Sequence, residues 1–222
     1  MRIQSNIQEL RKHIPAHVQL VCVSKFHPIE SVMEAYNAGE RAFGESRVQE
    51  LIAKQPELPV DIRWHFIGHL QTNKIKSIIP FVSLIHGVDS LKVLTEINKQ
   101  AEKAERIVSC LLQVHIADEE TKFGFSAEEL EALFSNSVTS RLKNVQIAGL
   151  MGMATYTDDE NQIRKEFQFL HTLFTQIKKT HFPTDENFKE LSMGMSQDYA
   201  IAIDEGSTMV RIGTSIFGER EY

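Results

Sequence analysis

The chain has 222 residues, 42% of them hydrophobic and 24% charged, with a formal net charge of −6. This length suits one large domain or two small ones, and 24 basic against 30 acidic side chains leave no basic footprint of a nucleic-acid binder. No apolar run approaches the roughly 18 residues that cross a bilayer, and the N-terminus lacks the apolar core and cleavage site of a secretory signal.

In chain order, Ile3, Ile7, Leu10 and Ile14 recur at helical spacing in MRIQSNIQELRKHIP. VQLVCVSK (18–25) reads as the first strand. A helical stripe of Ile29, Val32, Met33 and Tyr36 follows, opened by Pro28 and closed by Gly39. Strands are then predicted at AFGE (42–45), RWHFIG (63–68), SLIHGVD (83–89) and IVSCLLQVHIA (107–117). Ser126 and Glu129 form a capping box ahead of Leu130, Leu133 and Phe134. VQIAGLMGMA (145–154) is the sixth strand, and a long stripe of Ile163, Phe167, Leu170, Phe174 and Ile177 ends before Pro183. ELSMGMS (190–196) and TMVRIG (208–213) complete a set of eight strands.

The strands are apolar throughout, as parallel strands covered on both faces are. Eight of them alternating with helices predict an α/β fold, a compact (β/α)8 TIM barrel, with a doubly wound open sheet as the alternative. No linker divides the chain, so residues 1–222 read as one domain. Cys22 and Cys110 lie inside apolar strands without metal-ligand spacing and read as reduced thiols in a reducing compartment. The expectation is a soluble cytoplasmic protein with neither nucleic acid nor membrane as partner.

In such a barrel, function collects at the C-terminal ends of the strands. Lys25, Glu45-Ser46, Gly68-His69, Asp89, Ser196 and Gly213-Thr214 fall there. On its own Lys25 reads as a solvated strand end. If it continues the alternation of Val21 and Val23, its amine instead points into the barrel mouth from an apolar wall, where desolvation favours the neutral nucleophile. Ser192, Gly194 and Ser196 at the end of the seventh strand, with Gly213, Thr214 and Ser215 at the end of the eighth, occupy the usual phosphate position of this fold. A reactive amine near phosphate loops suits an aldehyde that carries a phosphate, a description met by pyridoxal 5′-phosphate. Arg211 lies on the face of Met209 and Gly213; a structural ion pair inside the barrel is one role for it. The other is to face the pyridine nitrogen, which must then stay an unprotonated acceptor.

His65 and His69 lack an H-E-x-x-H pattern and read as structural or pocket-lining rather than metal ligands. Lys122 is the second choice for a reactive amine. Asp118, Glu119 and Glu120 read as a solvated charge run, and Met151, Met153, Met193 and Met195 as core packing.

The stretches VCVSKFHP, FGESRVQE, WHFIGHLQTNK, GLMGMA, LSMGMSQDY and GSTMVRIGTSIFG run in one order over residues 20–218. In these motifs the chain resembles the pyridoxal phosphate homeostasis proteins, the YggS/PROSC-like family. The resemblance implies a single-domain barrel of the alanine-racemase kind (fold type III) without the second β domain, holding pyridoxal phosphate as a lysine aldimine. Lys25 matches the family's Schiff-base lysine. Met195 (through its backbone), Ser196, Gly213 and Thr214 match its phosphate segments, and Arg211 matches the arginine beside the pyridine nitrogen. One departure is Ser46, where the family usually reads FGEN; serine can replace one hydrogen bond of that asparagine.

Two roles are then separable. A racemase needs acid and base groups on both faces of the substrate carbon, which the barrel's racemase relatives draw from a second β domain and a dimer partner. The sequence reaches Tyr222 directly after the eighth strand, so the expectation is a monomeric carrier that stores, buffers or delivers the cofactor, with recipient apo-enzymes as its partners. An aldolase-type barrel with a lysine and no cofactor leaves Arg211 unexplained.

Overall fold

Apolar strand runs alternating with amphipathic stripes can bury a parallel sheet if helices cover one face and the strands' own side chains fill the other. The computed structural model describes residues 2–118, 123–136 and 138–219, and adopts that solution as a closed ring of parallel strands. The strands are β1 (Gln19–Val23), β2 (Ala42–Glu45), β3 (Arg63–Phe66), β4 (Leu84–Val88), β5 (Val108–Val114), β6 (Val145–Gly152), β7 (Glu190–Ser192) and β8 (Met209–Ile212). Among the described residues the helices are α1 (Arg2–His13), α2 (Ile29–Asn37), α3 (Val48–Lys54), α4 (Ile75–Ile78), α5 (Leu91–Lys103), α6 (Ala127–Ser135), α7 (Glu160–His181), α8 (Tyr199–Asp204) and α9 (Thr214–Phe217). β8 closes the ring against β1, with Val21 opposite Arg211 and Cys22 opposite Ile212. That pairing rules out the open doubly wound sheet, whose edge strands do not meet.

Alternation sorts the strand side chains. Val21, Leu84, Leu111, Met151 and Met209 pack together as the filling of the ring. Cys22, Phe43, Trp64, Phe66 and Ile85 belong to the larger core between ring and helices. Burying each large apolar side chain contributes roughly 1.5–3 kcal/mol before chain entropy is charged. Cys22 and Cys110 are buried free thiols, and burial raises the pKa of both.

The helices follow their sequence signals. α1 buries Ile3, Ile7 and Leu10. Pro28 is the N-cap of α2 rather than its first residue, because its ψ of 168° is extended. The capping box of α6 is formed, with Ser126 Oγ accepting from Glu129 N at 3.1 Å and Ser126 N donating to Glu129 Oε2 at 2.8 Å. No helix among the described residues is long and apolar enough to cross a membrane.

The strands differ from expectation at one end. Every strand except β2 stops short of its predicted C-terminus; β1 ends at Val23 rather than Lys25, and β7 at Ser192 rather than Ser196. Apolar or small residues continue past the last ladder bond, so composition does not mark where pairing stops. Lys25 therefore lies in a turn, and the alternation that would aim it from the Val21 and Val23 face breaks at Ser24.

Candidate functional site

The turn after β1 is held from behind by β2 and α3. Ser24 is fully buried and points away from the ring filling; its hydroxyl donates to Glu45 Oε1 at 2.7 Å. Lys54, at the end of α3, donates to the same oxygen at 2.7 Å and to the Ser24 carbonyl at 2.9 Å. Phe26 adopts a left-handed φ of 67°, unusual for a residue with a side chain, and its amide donates to Glu50 Oε1 at 3.0 Å. The Arg47 guanidinium sits over the Phe26 ring, 4.5 Å from its centroid. Half-buried Lys25 is thus flanked on both sides by residues whose backbone is fixed.

The second wall comes from β7 and β8. Gly194 has φ +96°, and a Cβ there would lie 2.6 Å from the Ala202 Cβ, so glycine permits the sharp exit from β7. The exit carries Met195 outward to 37% exposure, which corrects its assignment to the core; Met151 and Met193 are buried as expected. The Ser196 hydroxyl accepts from the Gly213 amide at 3.3 Å, joining the two loops. A Cβ on Gly213 would lie 3.1 Å from the Val23 carbonyl oxygen, so the loop after β8 runs hard against the end of β1. Thr214 and Ser215 open α9 and are exposed. The His27 ring stacks on Phe217 with centroids 4.9 Å apart, tying the loop that follows Lys25 to α9.

Below these loops Arg211 is buried in the ring filling at 4% exposure. Its Nη1 donates to the Ser192 carbonyl at 2.9 Å and Ser192 Oγ at 2.6 Å, and its Nη2 to the Gly152 carbonyl at 3.1 Å. These acceptors are neutral, so the ion pair entertained from the sequence is not what holds it. Burial lowers the Arg211 pKa to about 10, which still leaves it a cation at neutral pH. The donor set fits an aldehyde-bearing, phosphorylated pyridine: an amine on the turn after β1, hydroxyl and amide donors on the loops after β7 and β8, and a donor-only group beneath.

Lys25, Met195, Ser196, Arg211, Gly213 and Thr214 therefore belong to adjoining segments at one end of the ring. Lys122, with Glu119 and Glu120, lies outside the described residues. His65 and His69 face different surroundings: His65 Nδ1 is 2.9 Å from His86 Nε2 inside the ring, whereas half-exposed His69 contacts Asp89 Oδ2 at 2.8 Å and stacks on Phe123 at 4.1 Å. Among the described residues no three His, Cys, Asp or Glu side chains are grouped to hold a metal. Sequence reasoning missed Glu50, Lys54 and His86. For His86 a signal existed, a lone polar side chain in step with Leu84 on an apolar strand; for the buried Lys54 there was none.

The barrel and its mouth define a class, the barrel of the alanine racemase N-terminal domain, and that family model matches residues 1–221. The chain is 41% identical to the pyridoxal phosphate homeostasis protein of Aquifex aeolicus, over 92% of this chain and 88% of the relative. Its human counterpart of the same name is 36% identical, over 100% of this chain and 84% of the relative. Among solved structures, PipY of Synechococcus elongatus PCC7942 with PLP bound is 37% identical with a TM-score of 0.88, covering 97% of this chain and 100% of that one. Alanine racemase of Clostridium difficile 630 shares the fold at 14% identity and a TM-score of 0.76, with 60% of its length covered. The chain belongs to the pyridoxal phosphate homeostasis protein family, within the alanine racemase N-terminal-domain barrels.

Proposed function

We propose that this protein binds pyridoxal 5′-phosphate across the mouth of its barrel and serves the cofactor's homeostasis, by storage, buffering or delivery, rather than turning over a substrate. The observation that carries the reading is the β8–β1 register. It sets Arg211 beside Val21 and Gly213 beside Val23, two residues before Lys25. PipY, with PLP bound and similar over 97% of this chain, supports it.

In this reading the Lys25 amine condenses with the cofactor aldehyde, releasing water. The Ser196 hydroxyl, the Met195 and Gly213 backbone and Thr214 hold the phosphate. The buried Arg211 guanidinium donates toward the pyridine nitrogen. Bound pyridoxal phosphate supplies an electron sink, strongest when that nitrogen is protonated. A donor-only cation opposes that protonation, which favours holding over turnover. Names of the relatives as homeostasis proteins agree with a carrier. The buried free cysteines suit a reducing compartment, so the protein is read as cytoplasmic; in this reading it acts as a monomer with recipient apo-enzymes as its partners. Residues 1–222 act as one cofactor-binding barrel.

The test is borohydride reduction of the protein loaded with pyridoxal phosphate, followed by peptide mapping. The cofactor should be fixed on the peptide containing Lys25; modification at Lys122 with Lys25 unmodified overturns the assignment. Lys25→Ala should lose the covalent link and retain phosphate-anchored cofactor. Incubation with a panel of L-amino acids, resolved by chiral chromatography, should leave their configuration unchanged, and sustained inversion would establish a racemase instead.

A further inference from the structure

Inside the ring, beneath the mouth, a line of polar side chains crosses from β8 to β3. Arg211 Nη1 reaches Ser192 Oγ at 2.6 Å, Ser192 Oγ reaches His86 Nδ1 at 3.0 Å, and His86 Nε2 reaches His65 Nδ1 at 2.9 Å. All four residues are buried, Ser192 and His86 completely. The sequence grouped Ser192 with the phosphate loops, but the structure sets it between Arg211 and His86, and the proposed cofactor contacts use none of Ser192, His86 and His65.

Hydrogen-bond chemistry gives the line a direction. A guanidinium only donates, so Ser192 Oγ must accept from Arg211. The Ser192 hydroxyl proton then needs an acceptor within a dry interior, because a buried donor without a partner is strongly disfavoured. His86 Nδ1 is at hand. His86 consequently carries its proton on Nε2 and gives that hydrogen bond to His65 Nδ1, which leaves the His65 proton on Nε2 as well. Burial keeps both rings neutral: it lowers the His65 pKa to about 3 and that of His86 well below its usual value. Each residue in the line turns its acceptor atom toward Arg211 and donates away from it, so the dipoles add in support of the cation.

We propose that Ser192, His86 and His65 are positioning residues, a neutral one-way relay whose hydrogen bonds hold Arg211 in place. The consequence rests on the cofactor reading. The Asp198 carboxylate favours the Arg211 cation through space, but the groups that accept its hydrogen bonds are neutral and leave its charge directed at the pyridine nitrogen. The relay thereby sets the ring's electronic state from three residues that do not touch it.

Two measurements test this, and they fail separately. Nitrogen NMR of isotope-labelled histidine in the cofactor-free protein should find His86 and His65 both neutral with Nε2 protonated. In Ser192→Ala, Arg211 keeps its bonds to the Ser192 main-chain carbonyl position and to Gly152, so the fold should persist while the His86 tautomer preference is lost. A proton on His86 Nδ1 in the unsubstituted protein, or an unmoved tautomer in Ser192→Ala, overturns the relay. Titration with pyridoxal phosphate labelled at the ring nitrogen should show an unprotonated acceptor in the unsubstituted protein. Ser192→Ala and His86→Leu should raise the dissociation constant about tenfold, the scale of one charge-assisted hydrogen bond, and shift the ring-nitrogen resonance. His86→Asn, which restores an acceptor for Ser192, should recover most of both. Loss of affinity with an unshifted ring resonance in both Ser192→Ala and His86→Leu refutes the electronic role. Failure of the unsubstituted protein to bind the cofactor would overturn the cofactor reading and, with it, the electronic consequence, while the tautomers still decide the relay.

Discussion

Glu45 ends β2 with no exposure at all, and one of its carboxylate oxygens, Oε2, is buried without a hydrogen-bond partner. Burial raises its pKa from 4.5 to about 7 despite the pull of Lys54, which lies 2.7 Å from Oε1. The sign of the consequence follows from proton counting. Between 4.5 and about 7 the folded protein holds a proton that the unfolded chain has released, so stability falls as pH rises through that window. Denaturation midpoints measured across it should decline, and Glu45→Gln should flatten the decline; a midpoint that rises with pH refutes the assignment. Lys54→Met removes the cation and strands the carboxylate. It should cost about 3 kcal/mol at about pH 8, where Glu45 is charged, and markedly less at about pH 5, where the carboxyl is neutral. An equal loss at both values would mean that packing of the lysine stem, not its charge, is what α3 contributes there.

At the scale of elements, α3 acts as a brace for the turn that carries Lys25. Glu50 accepts from Phe26 N, Lys54 donates to the Ser24 carbonyl, and Arg47 covers the Phe26 ring. Glu50→Ala removes the acceptor from an amide held in a left-handed conformation. It should destabilise the protein by about 1 kcal/mol in chemical denaturation. It should also slow covalent capture of pyridoxal phosphate severalfold; unchanged capture alongside the stability loss would separate α3 from the lysine. This brace was not legible in the sequence, because Glu50 and Lys54 are ordinary helix residues until tertiary packing buries one of them. The strands were legible, since an apolar run flanked by helical stripes admits few other folds. Their C-terminal ends were not: ladder bonds end where backbones diverge, and Ser24, Gly194 and Gly213 look alike in composition on either side of that point. The loops at the mouth were legible through glycine and serine content, which tracks close backbone approach, as at Gly213 against Val23.

Across the whole molecule, the ring is not sewn evenly. β5 and β6 pair over seven positions from Val108–Val145 to Val114–Gly152, whereas β7 has three residues and pairs with β8 at one position, Ser192 with Met209. Side chains supplement that thin seam. The Ser207 hydroxyl lies 2.8–3.2 Å from the carbonyl oxygens of Leu191, Met193 and Met209, which share its one proton, and Arg211 spans Ser192 on β7 and Gly152 on β6. The same strands carry the loops that meet at the mouth, so this short-paired seam is also a part that a bound cofactor would bridge. Local opening draws on elements with few backbone bonds, and a ligand that binds only the closed form suppresses that opening. Amide exchange in the cofactor-free protein should therefore be faster at Met193 and Arg211, whose amides bond to Met209 and Gly194, than along β5 and β6. Pyridoxal phosphate should slow exchange most at those two amides and leave β5 and β6 nearly unchanged. Arg211→Met should speed exchange on β7 even without cofactor, because the side-chain stitch is gone. Uniform protection around the ring, before and after loading, would show that closure depends on the strands alone and that the mouth is rigid without its ligand.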